Sequence, residues 1–201
     1  MLERLSEKFT WKLIHTEIIS KTDADVYVYG FFQLAMMILN IATTLFLAIL
    51  FKLLIPCILL NLSYIPLRIN AGGHHASSPT KCYINSTIMI AALLAVIKWI
   101  TIHNTISAIM FVLSGIVIWI LAPVEAENNP WDDTEKQIYR RRTRVILLIE
   151  AIFFTVSLIF MKDWISETIT LGIFTESVLL LIGALINNNK RSKNEILPKR
   201  K

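Results

Sequence analysis

The sequence predicts an all-α membrane protein with about six transmembrane helices, preceded by an amphipathic N-terminal helix. Three observations support this fold class. Of 201 residues, 55% are hydrophobic. Only 17% are charged, whereas soluble domains carry about 25% charged residues. The charged residues are also unevenly placed and are separated by long uncharged stretches. Together these features exclude a disordered chain and an ordinary soluble domain.

The N-terminal segment has the pattern of an amphipathic helix. Its apolar positions recur every three or four residues and share one helix face: Leu2, Leu5, Phe9 and Leu13. Basic residues lie off that face. We therefore expect residues 1–25 to form an interfacial segment on the inner membrane surface.

Six nearly uncharged runs follow the N-terminal segment. A spanning helix needs about 20 apolar residues, with ~17 as a lower limit. The predicted spans are 26–51, 53–67, 84–100, 105–122, 145–161 and 168–186. A tight turn near Lys52 separates the first two. The second run is short and contains Pro56, so a re-entrant segment is the alternative to a full span there.

The basic residues predict the orientation of these spans. With both termini in the cytoplasm, 17 of the 20 Lys and Arg residues lie in inner segments. The outer turns then hold only Lys52, Lys98 and Lys162, as the positive-inside rule requires. The membrane domain covers 26–186, and a basic cytoplasmic tail covers 187–201. We expect this tail to be a frayed, solvated end near anionic lipid.

The inner segment 68–83 concentrates residues that can perform chemistry. It holds His74, His75 and Cys82, in a chain with only four histidines and two cysteines. Ser78 followed by Pro79 is typical of a helix start, because serine is a preferred N-cap and proline is favoured at the first helical position. Cys82 would then lie in the first turn of the third span.

This position favours a reactive thiol. The positive end of the helix dipole and the neighbouring Lys81 stabilise a thiolate, which is the nucleophilic form of cysteine. Cys57 differs, because it lies in the middle of a span among Ile55, Ile58 and Leu59. We predict that Cys57 is a small buried hydrophobe.

From the residues alone, three interpretations of the loop stay open. The first is a catalytic Cys–His pair. The second is a metal site of His74, His75 and Cys82, although adjacent histidines rarely face one ion and a fourth ligand is not evident. The third is ordinary loop structure, in which Gly72-Gly73 only close the preceding helix.

Two acidic residues lie inside predicted spans. Intramembrane acids are functional candidates by default. We favour structural pairing or polar lining over catalysis for Glu150 and Glu176. They also define the alternative function, a small six-helix substrate-binding subunit of a membrane transporter, in which they would line the site and Cys82 would not be needed.

The run Ala71-Gly72-Gly73-His74-His75-Ala76, followed by Cys82 between the second and third spans, resembles the accessory gene regulator B (AgrB) peptidases. The resemblance covers most of the chain. It extends to Tyr29-Gly30, to Arg68 before the glycines, to Ala122-Pro123 after the fourth span, and to the basic segment before the fifth.

The resemblance implies a membrane cysteine endopeptidase of Gram-positive quorum sensing. Such enzymes cut the C-terminal part off an AgrD-type propeptide and close the remainder into a cyclic thiolactone or lactone. The catalytic residues of the family map to His75 and Cys82. His74 is a rival base, since the family usually has another residue type there. The resemblance does not assign a third catalytic residue, and the sequence offers candidates such as Asn70 and Ser77.

The other site residues are assigned supporting roles. Gly72 and Gly73 would support the loop, and the backbone N–H groups of Lys81 and Cys82 are candidates to stabilise an oxyanion. Four basic residues are assigned to substrate binding, since family propeptides end in an acidic stretch: Arg68, Lys136, Arg140 and Arg144. On a helix, Arg140 and Arg144 share a face.

The expected surroundings follow from the same resemblance. The protein is expected in the cell membrane, with its active site facing the cytoplasm. Its partners would be the propeptide and membrane lipid, while a homodimer is left open. We expect no cofactor, no metal and no nucleic acid.

Overall fold

Helices make up most of the structure. The computed structural model describes residues 2–73, 78–125, 131–160 and 162–196, with side chains described as far as Asn188. Within these residues lies a short 3-10 helix at Lys21–Asp23. The α-helices are α1 (Leu2–His15), α2 (Ala24–Phe51), α3 (Leu54–Ala71), α4 (Pro79–Trp99), α5 (Asn104–Leu121), α6 (Asp133–Phe160) and α7 (Asp163–Ile196). The predicted all-α fold and its N-terminal helix are confirmed.

Six of these helices are long and apolar enough to cross a membrane. The candidate spans are Lys21–Phe51, Leu54–Ala71, Pro79–Trp99, Asn104–Leu121, Asp133–Phe160 and Asp163–Asn188. The protein is therefore a multi-pass membrane protein, and the predicted number of spans is confirmed. The second span has 18 residues, longer than the predicted run because α3 continues past Leu67 to Ala71.

The turn after α2 agrees with the sequence prediction, and the end of α7 differs from it in part. The tight turn between the first two spans is present, and Lys52 there adopts a left-handed φ of 59°. The prediction that the chain frays from residue 187 is wrong in part, because α7 continues to Ile196. Gly and Pro residues usually end helices. After Gly183 the next such residue is Pro198, so nothing in the sequence stops α7 near 187.

The chain divides into two compact units. The first consists of Met1–Leu50 and Ala76–Ala91. Within it, α2 and α4 are joined by side-chain hydrogen bonds: Asn40 Nδ2 donates to Ser86 Oγ at 2.9 Å, and the hydroxyls of Thr43 and Tyr83 lie 2.8 Å apart. Polar pairs of this kind hold helices together where both are surrounded by lipid.

The second unit consists of Phe51–His75 and Ala92–Lys201. Here α3, α5, α6 and α7 pack around one buried apolar core: Leu67, Phe111, Ile118, Leu147, Phe154, Ile169, Ile173 and Leu180. The rings of Phe111 and Phe154 stack with centroids 4.1 Å apart. At Gly172, a Cβ atom would come within 3.0 Å of the Ser63 Cβ atom, so this glycine allows close contact between α7 and α3.

The N-terminal helix α1 presents several large apolar side chains at the surface. Leu5, Phe9 and Trp11 are each at least half exposed, whereas Ser6 and Thr10 are buried. An amphipathic helix lying in a membrane interface buries such apolar side chains among the lipid acyl chains. This pattern agrees with an interfacial role for α1.

Candidate active site

Cys82 lies in the first turn of α4, as predicted. Pro79 is the first residue of the helix. The Ser78 hydroxyl accepts a hydrogen bond from the Lys81 N–H at 3.3 Å, so Ser78 caps the helix. The Cys82 side chain is exposed. The helix start therefore presents an exposed thiol at the N-terminal end of α4.

The same cap corrects one expectation. The sequence predicts that the backbone N–H groups of Lys81 and Cys82 are available to donate hydrogen bonds to an oxyanion. The Lys81 N–H donates to Ser78 Oγ, and the Cys82 N–H donates to the Ser78 carbonyl at 3.0 Å. The prediction that both amides are available is therefore wrong, because the Ser78 side chain accepts from one N–H group and the Ser78 carbonyl accepts from the other.

Cys57 contrasts with Cys82, as the sequence predicts. Its residue is only 2% exposed. The Asn61 side chain donates to the Cys57 carbonyl at 2.8 Å and lies 3.6 Å from its sulfur. A buried thiol in an apolar span has little access to substrate. The two cysteines therefore differ in exposure to substrate, which a nucleophile requires.

Gly72 and Gly73 close α3 and bind a second segment of the chain. Both residues have left-handed φ values, 79° and 101°. The Gly73 N–H donates to the Val124 carbonyl, and the Val124 N–H donates to the Ala71 carbonyl, both at 2.9 Å. This short parallel bridge fixes the chain at the point where it leaves α3 toward His74 and His75.

Neither glycine has room for a side chain. A Cβ atom at Gly72 would collide with the Val124 carbonyl oxygen and approach the Trp131 ring to 3.2 Å. A Cβ atom at Gly73 would lie 2.8 Å from Arg68 Nη1 and 3.1 Å from the Leu179 carbonyl oxygen. The turn thus requires glycine for its backbone conformation and also for its packing.

Arg68 reaches this turn from inside α3. Its Nη1 donates to the Gly72 carbonyl at 2.5 Å and lies 4.0 Å from Glu176 Oε1. The Arg68 side chain is 17% exposed and that of Glu176 is fully buried. The structure therefore connects Arg68, assigned above to substrate binding, with the end of its own helix and with α7.

The three basic residues assigned on α6 have different surroundings. Lys136 Nζ forms an ion pair with Glu125 Oε1 at 2.6 Å. The Arg144 guanidinium lies over the Trp119 ring, 4.6 Å from its centroid. Arg140 is exposed. Of the three, Arg140 is therefore the one whose charge is most open to a ligand.

The acids inside the spans contact neighbouring helices. Glu150 on α6 accepts a hydrogen bond from the Ser63 hydroxyl on α3, and Glu176 faces Arg68. These contacts favour structural pairing over the lining of a transporter site. Sequence reasoning missed a third buried acid, Glu167, which accepts a hydrogen bond from the Ile102 backbone. The predicted span begins at Thr168, so Glu167 was not counted as an intramembrane acid.

Several predicted site residues lie outside the described residues, namely His74, His75 and Ser77. Asn70 is described, and its side chain donates to the Pro66 carbonyl of its own helix at 2.8 Å. Among the described residues, His, Cys, Asp and Glu side chains do not form a group of three able to hold a metal ion. Because His74 and His75 lie outside the described residues, the metal interpretation stays a prediction.

These features define a class: a multi-pass helical membrane protein with an exposed cysteine at a capped helix start and a two-glycine turn closing the preceding span. The sequence profile of the accessory gene regulator B family matches residues 6–180. The chain therefore belongs to the AgrB family, as the motif in 71–82 predicts.

Curated relatives carry the same family name. The chain is 31% identical over 121 residues to accessory gene regulator protein B of Staphylococcus aureus (strain Newman), covering 60% of this chain and 62% of the relative. It is 27% identical over 110 residues to putative AgrB-like protein 1 of Clostridium perfringens (strain 13 / Type A), covering 54% and 58%. The matches thus span about three fifths of these relatives. No solved structure matches the chain.

Proposed function

We propose that this protein is a membrane-embedded cysteine endopeptidase. It cleaves an AgrD-type propeptide near its C-terminus and cyclises the remaining peptide to a thiolactone or lactone autoinducer. The observation that carries this proposal is the exposed thiol of Cys82 at the capped start of α4, at the cysteine position of the family motif. Membership of the AgrB family over residues 6–180 supports it.

The first half of the reaction forms an acyl-enzyme. His75 removes the proton of the Cys82 thiol, and the thiolate sulfur attacks the scissile carbonyl carbon. The carbon–nitrogen bond then breaks, and His75 returns its proton to the leaving amine. The C-terminal piece departs, and the rest of the propeptide is held on Cys82 as a thioester.

Cys82 gains its reactivity from its place in α4. The first turn of a helix carries a partial positive charge, which stabilises a thiolate there. The Lys81 and Cys82 amides donate to Ser78. These two amides are therefore occupied by Ser78 and are not assigned to the oxyanion.

The second half closes the ring. A thiol of the same peptide attacks the thioester carbonyl and releases Cys82, or a hydroxyl does so to give a lactone. Exchange of one thioester for another changes the free energy little, so the thiolactone reaction needs no ATP. It does require that the peptide thiol is held close and that water is excluded, because hydrolysis would release a linear product.

The acidic end of the propeptide is proposed to bind basic residues of α6. Of the three assigned residues Lys136, Arg140 and Arg144, Arg140 is the exposed one, and an arginine binds a carboxylate through two parallel hydrogen bonds. Arg144 and Lys136 already contact Trp119 and Glu125. Exposed ion pairs contribute only about 0.2–1 kcal/mol each, so this contact would aid binding more than catalysis.

The assignment of the base can be tested on the two adjacent histidines. His75→Ala is expected to lower cleavage roughly 10²–10⁴-fold, the usual contribution of a general base. His74→Ala is expected only to weaken it, and serves as the matched control. Combining His75→Ala with Cys82→Ala should cost little more than Cys82→Ala alone. The measurement is cleavage of a synthetic propeptide in nanodiscs. An active His75→Ala variant beside an inactive His74→Ala variant would assign the base to His74.

Orientation is a second part of the proposal, with both termini and Cys82 on the cytoplasmic side. Single cysteines introduced into a cysteine-free protein test it. A membrane-impermeant thiol reagent added to intact cells is expected to label Asn104→Cys, and to label Ser78→Cys or Asp133→Cys only after the cells are broken. Labelling of Ser78→Cys in intact cells would place the site outside.

A further inference from the structure

A buried carboxylate in α7 has no hydrogen bond within the described part of the chain. The Glu176 side chain is fully buried, and neither of its carboxylate oxygens has a hydrogen-bond partner there. A carboxyl group removed from water without such partners is costly. An ionisable residue in the middle of an apolar helix is therefore a candidate for a functional role.

Glu176 forms an ion pair with the guanidinium of Arg68, whose Nη1 lies 4.0 Å from Glu176 Oε1. The same Nη1 atom donates to the Gly72 carbonyl at 2.5 Å. A Cβ atom added at Gly73 would lie 2.8 Å from this Nη1 atom. Arg68 thus connects the buried acid of α7 with the turn that leads to the histidines.

A second contact joins α7 to the same turn. The Leu179 carbonyl oxygen lies 3.1 Å from the position of a Gly73 Cβ atom. Glu176 and Leu179 are three positions apart, so they share a helix face. This face of α7 therefore meets the turn through backbone packing at Leu179, and through Arg68 at Glu176.

We propose that Glu176 is a positioning residue for the catalytic loop. Its carboxyl group holds the Arg68 guanidinium against the Gly72 carbonyl, and this fixes the Gly72-Gly73 turn from which the chain continues to His75. The inference rests on the proposed function, in which His75 is the base. It also gives Arg68 a positioning role in place of the substrate contact assigned from the sequence.

The other buried acids provide the comparison. Glu150 accepts a hydrogen bond from Ser63, and Glu167 accepts one from the Ile102 backbone. Glu150 is therefore also a buried glutamate inside a span. It differs from Glu176 in that its carboxyl group has a hydrogen-bond partner, Ser63. Glu150→Gln is the matched control for Glu176→Gln.

The test is a double-mutant cycle on cleavage of a synthetic AgrD-type propeptide in nanodiscs. Glu176→Gln is expected to lower kcat about tenfold and to change KM less than twofold, because a displaced base slows chemistry and leaves binding intact. Arg68→Gln should have a similar effect. The double variant Arg68→Gln/Glu176→Gln should be no slower than the slower single variant, since the two residues act as one unit. Glu150→Gln should keep near-normal kcat, and its effect should multiply with that of Arg68→Gln.

Two further measurements separate positioning from folding. Each kcat is divided by the amount of Cys82 that a small alkylating reagent titrates in folded protein, so that loss of folded molecules does not count as loss of catalysis. Glu176→Asp keeps the carboxyl group on a shorter side chain and should recover part of the lost kcat.

Three results would overturn the inference: an unchanged kcat for Glu176→Gln, a loss shared equally by Glu150→Gln, or independent effects of residues 68 and 176. Failure of the proposed function looks different. In that case the wild-type protein leaves the propeptide intact, or Cys82→Ala cleaves as well as wild type.

Discussion

Cys82→Ala is expected to abolish propeptide cleavage, whereas Cys57→Ala leaves it nearly intact. Loss of a nucleophile removes the whole covalent route, so the rate should fall on the order of 10⁴-fold or more. Cys57 is 2% exposed and Cys82 is exposed, so only Cys82 can meet a substrate. The measurement is the rate of C-terminal fragment release, followed by mass spectrometry with purified protein in nanodiscs.

The two substitutions control for each other, since each removes one thiol from the same chain. Cys57→Ala should lower thermal stability slightly, because it trims a buried side chain. Cys82→Ala should leave stability unchanged. If both variants lose cleavage to the same extent without unfolding, the assignment of Cys82 as the nucleophile is wrong.

Alanine at Gly72 or Gly73 is the second change expected to have a large effect. A positive-φ backbone that glycine alone adopts readily costs a residue with a side chain about 1–3 kcal/mol. The Cβ atom at Gly72 would also collide with the Val124 carbonyl oxygen, so the bridge between Gly72 and Val124 has to break. We expect Gly72→Ala to unfold at a lower temperature and to lose most of its cleavage activity.

Other glycines of the chain supply matched controls for this change. At Gly30 in α2, a Cβ atom has no other atom within 4 Å, and at Gly115 in α5 the nearest is a Leu147 methyl at 4.0 Å. Since alanine favours a helix by about 1 kcal/mol over glycine, both control variants should be as stable as wild type or more so. Thermal unfolding in detergent measures all four variants. A Gly72→Ala protein as stable and active as Gly30→Ala would contradict the account of the turn.

The spans could be predicted from the sequence because charge in a bilayer core is costly. Uncharged runs therefore mark the helices, and Lys52 marks the turn between the first two. The contrast between Cys57 and Cys82 was also predictable, since it depends only on local signals. Ser78-Pro79 begins a helix wherever it stands, and a cysteine among aliphatic residues is buried.

The contacts around the turn could not be predicted in the same way. Arg68 and Glu176 lie on different helices, and only the packing of α3 against α7 brings them to 4.0 Å. The bridge from Gly72 to Val124 likewise joins segments with no shared local pattern. The occupied amides at Lys81 and Cys82 were open to prediction, because a serine cap uses the donors that an oxyanion would need.

The central claim is that Cys82 forms a covalent acyl-enzyme with the propeptide. It is tested most directly by mixing the purified protein with a synthetic AgrD-type propeptide in nanodiscs, quenching in acid and measuring the intact mass. The account predicts a mass increase equal to the propeptide without its C-terminal piece, located on Cys82 and removed by hydroxylamine, as a thioester requires. Cys82→Ala should show no such increase. Cleavage by the wild-type protein with no adduct at any time point, and equal cleavage by Cys82→Ala, would contradict the account.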